Sequence, residues 1–212
     1  MEVSKEVAKK ERVIAYVDGF NLYFGMVEKG SKDTLWLNIQ ELAKNILNPN
    51  QELVGVKYFT SRVRNSPDKE LRQKTYIEAI ETLKDCKIFY GNYQANTVEC
   101  YRCGHTYSSP KEKMTDVNIA VEMMTDAHND KYDAAMLITG DSDLVPPIKA
   151  IHSIFHPKRV FVAFPPNRHN LSLSTAAKGS MIIGKGTLKN SQFSDVIIKD
   201  SGFKLIRPKT WV

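Results

Sequence analysis

The sequence predicts an α/β protein built on a mostly parallel central sheet. Short apolar runs rich in β-branched and aromatic residues alternate with longer segments whose apolar residues recur at helical spacing. One of these runs, residues 134–138, is apolar without a break, which is typical of a strand buried on both faces. Alternation of this kind favours right-handed βαβ units and therefore a parallel sheet.

The elements follow one another in a regular order. Strands are expected at residues 13–17, 53–60, 87–90, 132–138, 159–164 and, more briefly, 181–183. Apolar spacing predicts helical segments at residues 22–26, 36–47 and 67–83 and a helix that begins with Thr115 as its N-cap.

The same pattern divides the chain into three parts. Residues 1–11 are charged and predict a flexible lead-in, and residues 12–195 form the main domain. Residues 91–112 interrupt the strand and helix rhythm with Gly, Asn, Cys and Ser, so they are expected to be an inserted loop or small hairpin. The tail, residues 196–212, is expected to form a hairpin packed on the domain.

Composition narrows the class of protein. The 212 residues are 42% hydrophobic and 25% charged, an ordinary balance for a soluble globular chain. No apolar run approaches a membrane span and the N-terminus lacks a signal-peptide core, which predicts a cytoplasmic protein without membrane contact. The net charge of +6 fits either ordinary solubility or a polyanionic partner such as nucleic acid.

Acidic residues follow two of the predicted strands. Asp18 ends the first strand beside a glycine, and Asp141 and Asp143 follow the strand at 132–138. Asp116 lies in the first turn of a later helix. Each of these aspartates alone could simply cap a helix. If the two strands are neighbours, however, the carboxylates meet at one rim and require a cation such as Mg²⁺ or Mn²⁺ to relieve their repulsion.

Three segments carry a family resemblance. They are AYVDGFNLYF at 15–24, EKMTDVNIAVEMM at 112–124 and LITGDSDLVPPI at 137–148. Together they resemble the NYN domain of the LabA-like branch of the PIN-like nuclease superfamily, over roughly residues 12–165. The resemblance implies a PIN-like three-layer α/β/α sandwich and a metal-dependent endoribonuclease acting on RNA, with single-stranded RNA as the expected partner.

The resemblance also implies roles for individual residues. It assigns Asn21 as an accessory polar group and Thr139 as a group that positions a water or phosphate. It assigns Mg²⁺ or Mn²⁺ binding to four aspartates: Asp18, Asp116, Asp141 and Asp143.

Four basic residues are candidates for contact with backbone phosphates. Arg62 and Arg64 follow the second strand, Lys113 lies three residues before Asp116, and Arg168 follows the fifth strand. The alternative for each is an ordinary solvated surface charge.

The insertion contains a C-x-x-C-x-H group formed by Cys100, Cys103 and His105, with Gly104 at the variable position before the histidine. This spacing resembles one knuckle of a zinc ribbon, and a structural Zn²⁺ needs four ligands. Cys86, together with His105, would complete the site if the insertion folds back, or a second chain would do so in a homo-oligomer. Free thiols and a redox pair remain alternatives.

Other functions compete with RNA hydrolysis. The runner-up is an RNA-binding regulator with the same acidic pocket and little or no cleavage. A phosphohydrolase of the HAD type needs a carboxylate two residues before Asp18, where this chain has Tyr16. The chain contains neither a G-x-G-x-x-G after the first strand nor a G-x-x-x-x-G-K-[ST] motif, which argues against nucleotide-cofactor enzymes.

Overall fold

The structure is a computed structural model that describes residues 9–64, 66–94, 97–108 and 111–211. Most of the predicted lead-in, residues 1–8, lies outside these ranges. The strands are β1 (Glu11–Asp18), β2 (Gln51–Thr60), β3 (Cys86–Tyr90), β4 (Asn92–Gln94), β5 (Thr97–Glu99), β6 (Thr106–Ser108), β7 (Lys111–Lys113), β8 (Ala134–Ile138), β9 (Arg159–Phe164), β10 (Ser180–Ile182), β11 (Val196–Ile198) and β12 (Lys204–Ile206). The helices are α1 (Gly19–Glu28), α2 (Ile39–Ile46), α3 (Pro67–Ile80), α4 (Thr115–His128), α5 (Val145–Ile154), α6 (Leu171–Ala176) and α7 (Lys185–Asn190).

A six-stranded sheet forms the centre of the protein, in the order β10-β9-β8-β1-β2-β3. Every neighbouring pair in this sheet is parallel. The predicted α/β class is therefore confirmed, and the sheet is wholly rather than mostly parallel. The two central strands, β1 and β8, are hydrogen-bonded neighbours, and Val17 pairs with Ile138 at their carboxyl ends.

Alternate residues of β1 face opposite layers, as expected for a strand covered on both sides. Val13 and Val17 pack into one core with α1, α2 and α3. Ile14 and Tyr16 pack into a second core with α4, α5 and α6. The molecule is thus a three-layer α/β/α sandwich.

Three helices begin at residues other than those predicted, and the helical segment expected at 22–26 begins at Gly19, directly after its N-cap Asp18. The helix expected from Trp36 starts at Ile39, because Asn38 caps it by accepting hydrogen bonds from the Gln40 and Glu41 amides at 3.1 and 3.0 Å. Trp36 is instead fully buried in the core. The helix expected to be capped by Thr115 has the left-handed residue Met114 as its N-cap, and buried Thr115 is its first helical residue.

The insertion at 91–112 is a hairpin built from two short antiparallel ribbons. β4 pairs with β7 at its base, and β5 pairs with β6 further out. The turn at its tip is closed by two hydrogen bonds between backbone groups, from the Cys100 amide to the His105 carbonyl and from the Gly104 amide to the Cys100 carbonyl. Gly104 has a φ of +67°, which the tight turn requires and which glycine adopts at no steric cost.

The tail carries a second hairpin, formed by antiparallel β11 and β12. It is followed by a 3₁₀ turn, Lys209–Trp211, that places Trp211 against the domain. The Trp211 ring lies 5.8 Å from the Tyr76 ring and 6.4 Å from the Trp36 ring, measured between centroids. The tail therefore contributes an aromatic side chain to the core on the α1, α2 and α3 side of the sheet.

An ion-pair cluster joins the amino ends of β1 and β8. The Arg12 guanidinium donates to both carboxylate oxygens of Asp133, at 3.1 and 2.8 Å, and also pairs with Asp130. These hydrogen bonds from Arg12 lower the pKa of Asp133 to about 2.

This depressed pKa predicts acid sensitivity. A carboxyl group with a lowered pKa stabilises the fold above its ordinary value of 3.8, and that stability is lost as the pH falls through about 2. Because the Asp133 side chain is 40% exposed, we expect a contribution of only about 1 kcal/mol. Urea unfolding should show that Asp133→Asn is about 1 kcal/mol less stable at pH 6 and that the difference shrinks by pH 2. A difference that stays constant with pH would contradict the assignment.

Among the residues that the structure describes, no helix has the length and apolar character needed to cross a lipid bilayer.

Candidate active site

The carboxylate of Asp18 lies at the carboxyl end of β1 and is 5% exposed. One of its oxygens accepts a hydrogen bond from the Asn21 amide at 3.0 Å, so the residue caps α1. The other oxygen accepts a hydrogen bond from the Thr139 hydroxyl at 2.9 Å. Since Thr139 directly follows β8, this bond joins the ends of the two central strands.

The segment after β8 continues the same hydrogen-bonded chain. The Thr139 hydroxyl oxygen accepts from the Asp141 amide at 3.2 Å, and the Asn21 side-chain oxygen accepts from the Gly140 amide at 2.9 Å. Asp141 caps the 3₁₀ turn Ser142–Leu144 by accepting from the Asp143 amide at 3.0 Å. The condition set by the sequence, that the first and fourth predicted strands be neighbours, is therefore met.

Thr139 contacts protein groups rather than the open rim. It is fully buried, and its hydroxyl binds Asp18 and the Asp141 amide. These contacts orient the Asp18 carboxylate, and the positioning of a water or phosphate by Thr139 stays a prediction.

Gly140 is required by close packing. A Cβ atom at this position would lie 2.1 Å from the Arg168 carbonyl oxygen, well inside van der Waals contact. Gly140 is not among the described residues with positive φ, so the backbone conformation does not itself require a glycine here. Its missing side chain allows the loop after β9 to lie against the loop after β8.

Asp116 reaches the same edge of the sheet through α4. That helix is fixed against β2 by Lys57, whose ammonium lies 2.5 Å from carboxylate oxygens of both Glu122 and Asp126. Its first residue, Thr115, lies beside the exits of β2 and β3, because a Cβ on Gly91 would meet the Thr115 hydroxyl at 2.5 Å and the Ser61 hydroxyl at 2.7 Å. Asp116 is half-buried in the first turn, and α4 also contacts the 3₁₀ turn that holds Asp143.

The site residues predicted from the sequence are thus placed to different extents. Asp18, Asn21, Thr139 and Asp141 form one hydrogen-bonded set, and Asp143 follows it with an exposed side chain. Within the described residues, no three His, Cys, Asp or Glu side chains are gathered as a ready metal site.

The donor chemistry of this edge fits a hard divalent cation. Carboxylate oxygens, which Asp18, Asp141 and Asp143 carry after the two central strands and Asp116 carries in the first turn of α4, are the kind of ligand that Mg²⁺ and Mn²⁺ prefer. Mg²⁺ commonly keeps several waters and is held by only one or two carboxylates plus substrate phosphate. A partial set of aspartates is therefore compatible with such an ion.

The orientation of Asp18 by Thr139 leads to a prediction. Thr139→Val removes the hydroxyl but keeps the side-chain shape, so Asp18 loses one of its hydrogen-bond donors. Groups that orient metal ligands typically matter by about 10- to 100-fold in metal affinity or activity. We expect a loss of that size in the metal-dependent rate and in Mn²⁺ affinity, with recovery in Thr139→Ser. A Thr139→Ser variant as impaired as Thr139→Val would contradict the role of the hydroxyl.

Arg62 is the basic candidate whose position at this edge is most clearly defined. Its guanidinium lies 4.7 Å from the centre of the Tyr90 ring and donates to the Tyr90 hydroxyl at 2.9 Å. Burial raises the pKa of Tyr90, while the neighbouring Arg62 opposes that shift. The sequence did not identify Tyr90, although its position at the carboxyl end of a strand could have marked it. Arg64 is exposed two residues further on.

Arg168 and Lys113 differ in their surroundings. The Arg168 guanidinium forms an ion pair with Glu28 at the end of α1, so its charge is already balanced within the protein. Its backbone, through the contact with Gly140, is what reaches the site. Lys113 is exposed at the end of β7, two residues before α4. Phosphate binding is therefore a better expectation for Lys113 than for Arg168.

The structure separates Cys86 from the other predicted zinc ligands. Cys86 begins β3 and packs against the core, where burial raises the pKa of its thiol to about 12. Cys100, Cys103 and His105 lie in the insertion beyond the opposite end of that strand. Cys86 therefore does not complete a site with them, and zinc at the hairpin tip stays a prediction.

The hairpin tip does have one feature of a metal knuckle. Hydrogen bonds from the backbone amides of Arg102 and Cys103, and one from the Cys103 side chain, lower the pKa of the Cys100 thiol. Such bonds stabilise a thiolate, the form that binds metal. All three cysteines are free thiols in this structure.

Taken together, the fold and the site define a class of protein. A parallel sheet covered on both faces, with aspartates at the adjacent carboxyl ends of its two central strands, is consistent with a PIN-like domain. The chain belongs to the NYN domain family, whose sequence profile matches residues 12–183. NYN domains are part of the PIN-like nuclease superfamily, which supports a nuclease as the general class of enzyme.

Two known proteins are similar to the chain. A protein of unknown function from Vibrio parahaemolyticus has a crystal structure that matches with a TM-score of 0.57 and 18% identity, covering 87% of this chain and 98% of that one. That likeness bears on the fold alone. The chain is also 24% identical over 198 residues to 6-hydroxy-3-succinoylpyridine 3-monooxygenase HspA of Pseudomonas putida, over 77% of this chain. The chain spans 62% of the length of that relative.

Proposed function

We propose that the protein is a metal-dependent endoribonuclease that hydrolyses phosphodiesters of single-stranded RNA in the cytoplasm. The observation that carries the proposal is the hydrogen bond from Thr139 to Asp18, which ties the acidic ends of β1 and β8 together in a member of the NYN family. Parallel α/β sheets bind ligands at this edge.

The residues of the proposed site have two roles, which are to bind the metal ion and to orient one of its ligands. Asp18, Asp116, Asp141 and Asp143 supply the carboxylates that would hold Mg²⁺ or Mn²⁺, and Thr139 keeps Asp18 oriented. A bound divalent ion lowers the pKa of an attacking water and offsets charge that builds on the phosphate. Attack in line with the leaving oxygen would give a 3′-hydroxyl and a 5′-phosphate.

Cations at the same edge would hold the RNA strand. Arg62, Arg64 and Lys113 follow or precede elements that end beside the acidic residues, and phosphate contacts supply most of the affinity that is independent of sequence. Arg62 is held in place by Tyr90, which limits the entropy it loses on binding.

A second candidate is an RNA-binding regulator that cleaves slowly or not at all. It is favoured by one observation, the lack of a gathered set of three metal-ligand side chains among the described residues. Monooxygenase activity, which the name of the Pseudomonas relative states, is not proposed for this chain. The two proteins are 24% identical, and the chain spans 62% of the length of that relative.

Cleavage of end-labelled single-stranded RNA with Mn²⁺, Mg²⁺ or EDTA distinguishes the two candidates. We expect products with either metal and none with EDTA, and no products from Asp116→Asn or Asp141→Asn purified in parallel. RNA binding without products from the wild-type protein would favour the regulator. Equal products from the wild type and both variants would show that the activity is a contaminant and would remove support for the site.

A further inference from the structure

A cavity of about 340 Å³ lies beside the acidic edge, on the face of the sheet that α1 and α3 cover. Its walls combine aliphatic side chains with six aromatic rings from α1, β2, α3 and the tail: Phe20, Tyr23, Phe24, Tyr58, Tyr76 and Trp211. Gly19 and Thr60 also line it, and Gly19 directly follows Asp18. The cavity is therefore adjacent to the proposed site but is formed by different side chains.

One wall is only partly covered by protein. Phe24 is 45% exposed although it packs against the Phe20 ring, 5.9 Å away between centroids. Trp211 is only 5% exposed, and its ring lies 5.8 Å from the ring of partly buried Tyr76, measured between centroids. The cavity thus combines a buried aromatic ring, Trp211, with an exposed one, Phe24, an arrangement suited to stacking a planar ring.

The remaining wall is polar and positively charged. Lys69, Arg72 and Gln73 lie on the face of α3 that also carries Tyr76. The Gln73 side chain is hydrogen-bonded to the loop after β2. It accepts from the Val63 amide and donates to the Ser61 carbonyl, both at 2.8 Å. In the part of the chain that the structure describes, neither Lys69 nor Arg72 forms an ion pair.

We propose that this cavity binds one nucleotide of the RNA strand, with its base stacked among the aromatic walls and a phosphate at Arg72 and Lys69. The proposal rests on the proposed function, because it makes the cavity a subsite of the same strand. A planar ring that carries an anion matches aromatic walls next to Arg72 and Lys69, which have no ion-pair partner among the described residues. Since Gly19 is adjacent to Asp18, a nucleotide held here brings the neighbouring phosphodiester toward the aspartates.

Quenching of tryptophan fluorescence measures this binding without any cleavage, because Trp211 is part of the cavity wall. The probes are uridine and adenosine 5′-monophosphates in EDTA, with ribose 5-phosphate as the probe that lacks a base. We expect saturable quenching by the nucleotides and not by ribose 5-phosphate, and loss of the signal in Trp211→Phe.

Two variants test individual residues of the cavity wall, and a third, outside the cavity, is the control. Phe24→Ala should raise the nucleotide Kd by about 5- to 150-fold, the range that base stacking on an aromatic side chain contributes. Phe203→Ala removes another exposed phenylalanine, in the β11–β12 hairpin, and should leave Kd unchanged. Arg72→Gln should weaken the nucleotide about tenfold, with no effect on uridine, which has no phosphate.

The results of these experiments can contradict the nucleotide subsite without contradicting the proposed nuclease function, and the reverse. Nucleotide binding that is equal in the wild type and Asp18→Asn supports the subsite, even if no RNA is cleaved. RNA cleavage by the wild type without nucleotide quenching, and with the same KM in Phe24→Ala, would overturn the subsite and leave the nuclease proposal standing. Nicotinate serves as a further probe, a planar anion without ribose or phosphate. Quenching by nicotinate but not by the nucleotides would overturn the subsite in favour of a pocket for small aromatic acids.

Discussion

Asp18→Asn is expected to lower the rate of metal-dependent RNA cleavage by about 10³-fold, which corresponds to about 4 kcal/mol of lost transition-state stabilisation. Asp18 is the acidic residue with the most defined surroundings, since one oxygen caps α1 and the other binds Thr139. The substitution removes the negative charge while keeping an oxygen that can still accept from the Asn21 amide.

The fold of this variant should be preserved. Asparagine is as good an N-cap as aspartate, so we expect thermal unfolding within about 1 kcal/mol of the wild type. The matched control is Asp130→Asn, at the opposite end of the sheet, where asparagine tolerates the positive φ of 52°. Single-turnover rates with Mn²⁺ should be unchanged in Asp130→Asn. If Asp18→Asn cleaves within twofold of the wild type, Asp18 is not a metal ligand.

Gly140→Ala is expected to cost about 3 kcal/mol of folding free energy, near the upper end for overpacking a close contact. The new Cβ would lie 2.1 Å from the Arg168 carbonyl oxygen and 2.8 Å from the Arg168 Cβ, and backbone atoms cannot move aside as the end of a long side chain can. Either the loop after β9 or the segment after β8 must shift. A shift of the latter segment disturbs the Gly140 bond to Asn21 and the neighbouring Thr139 bond to Asp18.

The measurement is urea unfolding together with the cleavage rate. Gly179→Ala is the matched control, because a Cβ at Gly179 has no neighbour within 4 Å. We expect Gly140→Ala to lose stability and also to lose activity at temperatures where it is fully folded. A variant as stable and active as the wild type would show that the two loops do not pack as closely as described.

The fold could be predicted largely from local patterns. The unbroken apolar run of β8 marks a strand buried on both faces, and the β-branched run of β1 marks its partner. The first residues of the helices were harder to predict from the sequence, because the start of a helix depends on single capping residues such as Asn38. Trp36 illustrates what the local pattern leaves out. Its apolar side chain fits a helical pattern, but it packs against Phe193 and Trp211, which come from distant parts of the chain.

The site was predictable in composition but not in geometry. Asp18 and Asp141 stand out because each lies beside a glycine at the end of a strand, whereas the bond that joins the two strand ends depends on the order of strands in the sheet. The aromatic cavity was not predicted at all. Its walls come from α1, β2, α3 and the tail, and no local pattern brings Phe24 and Trp211 to one place.

The prediction that Cys86 is a zinc ligand failed for a related reason. Its distance along the sequence from Cys100 allows a shared zinc site, but β3 runs away from the amino end of the sheet before the insertion begins. A strand is extended, so the two groups lie at opposite ends of it.

The most direct test of the account is cleavage of an RNA in which one non-bridging oxygen of the scissile phosphate is replaced by sulfur. Mg²⁺ binds oxygen far better than sulfur, whereas Mn²⁺ accepts both more evenly. If the aspartates hold an ion against the phosphate, one phosphorothioate isomer should be cleaved at least about tenfold more slowly in Mg²⁺ and should recover in Mn²⁺. Equal rates for oxygen and sulfur substrates with both metals would contradict the central claim.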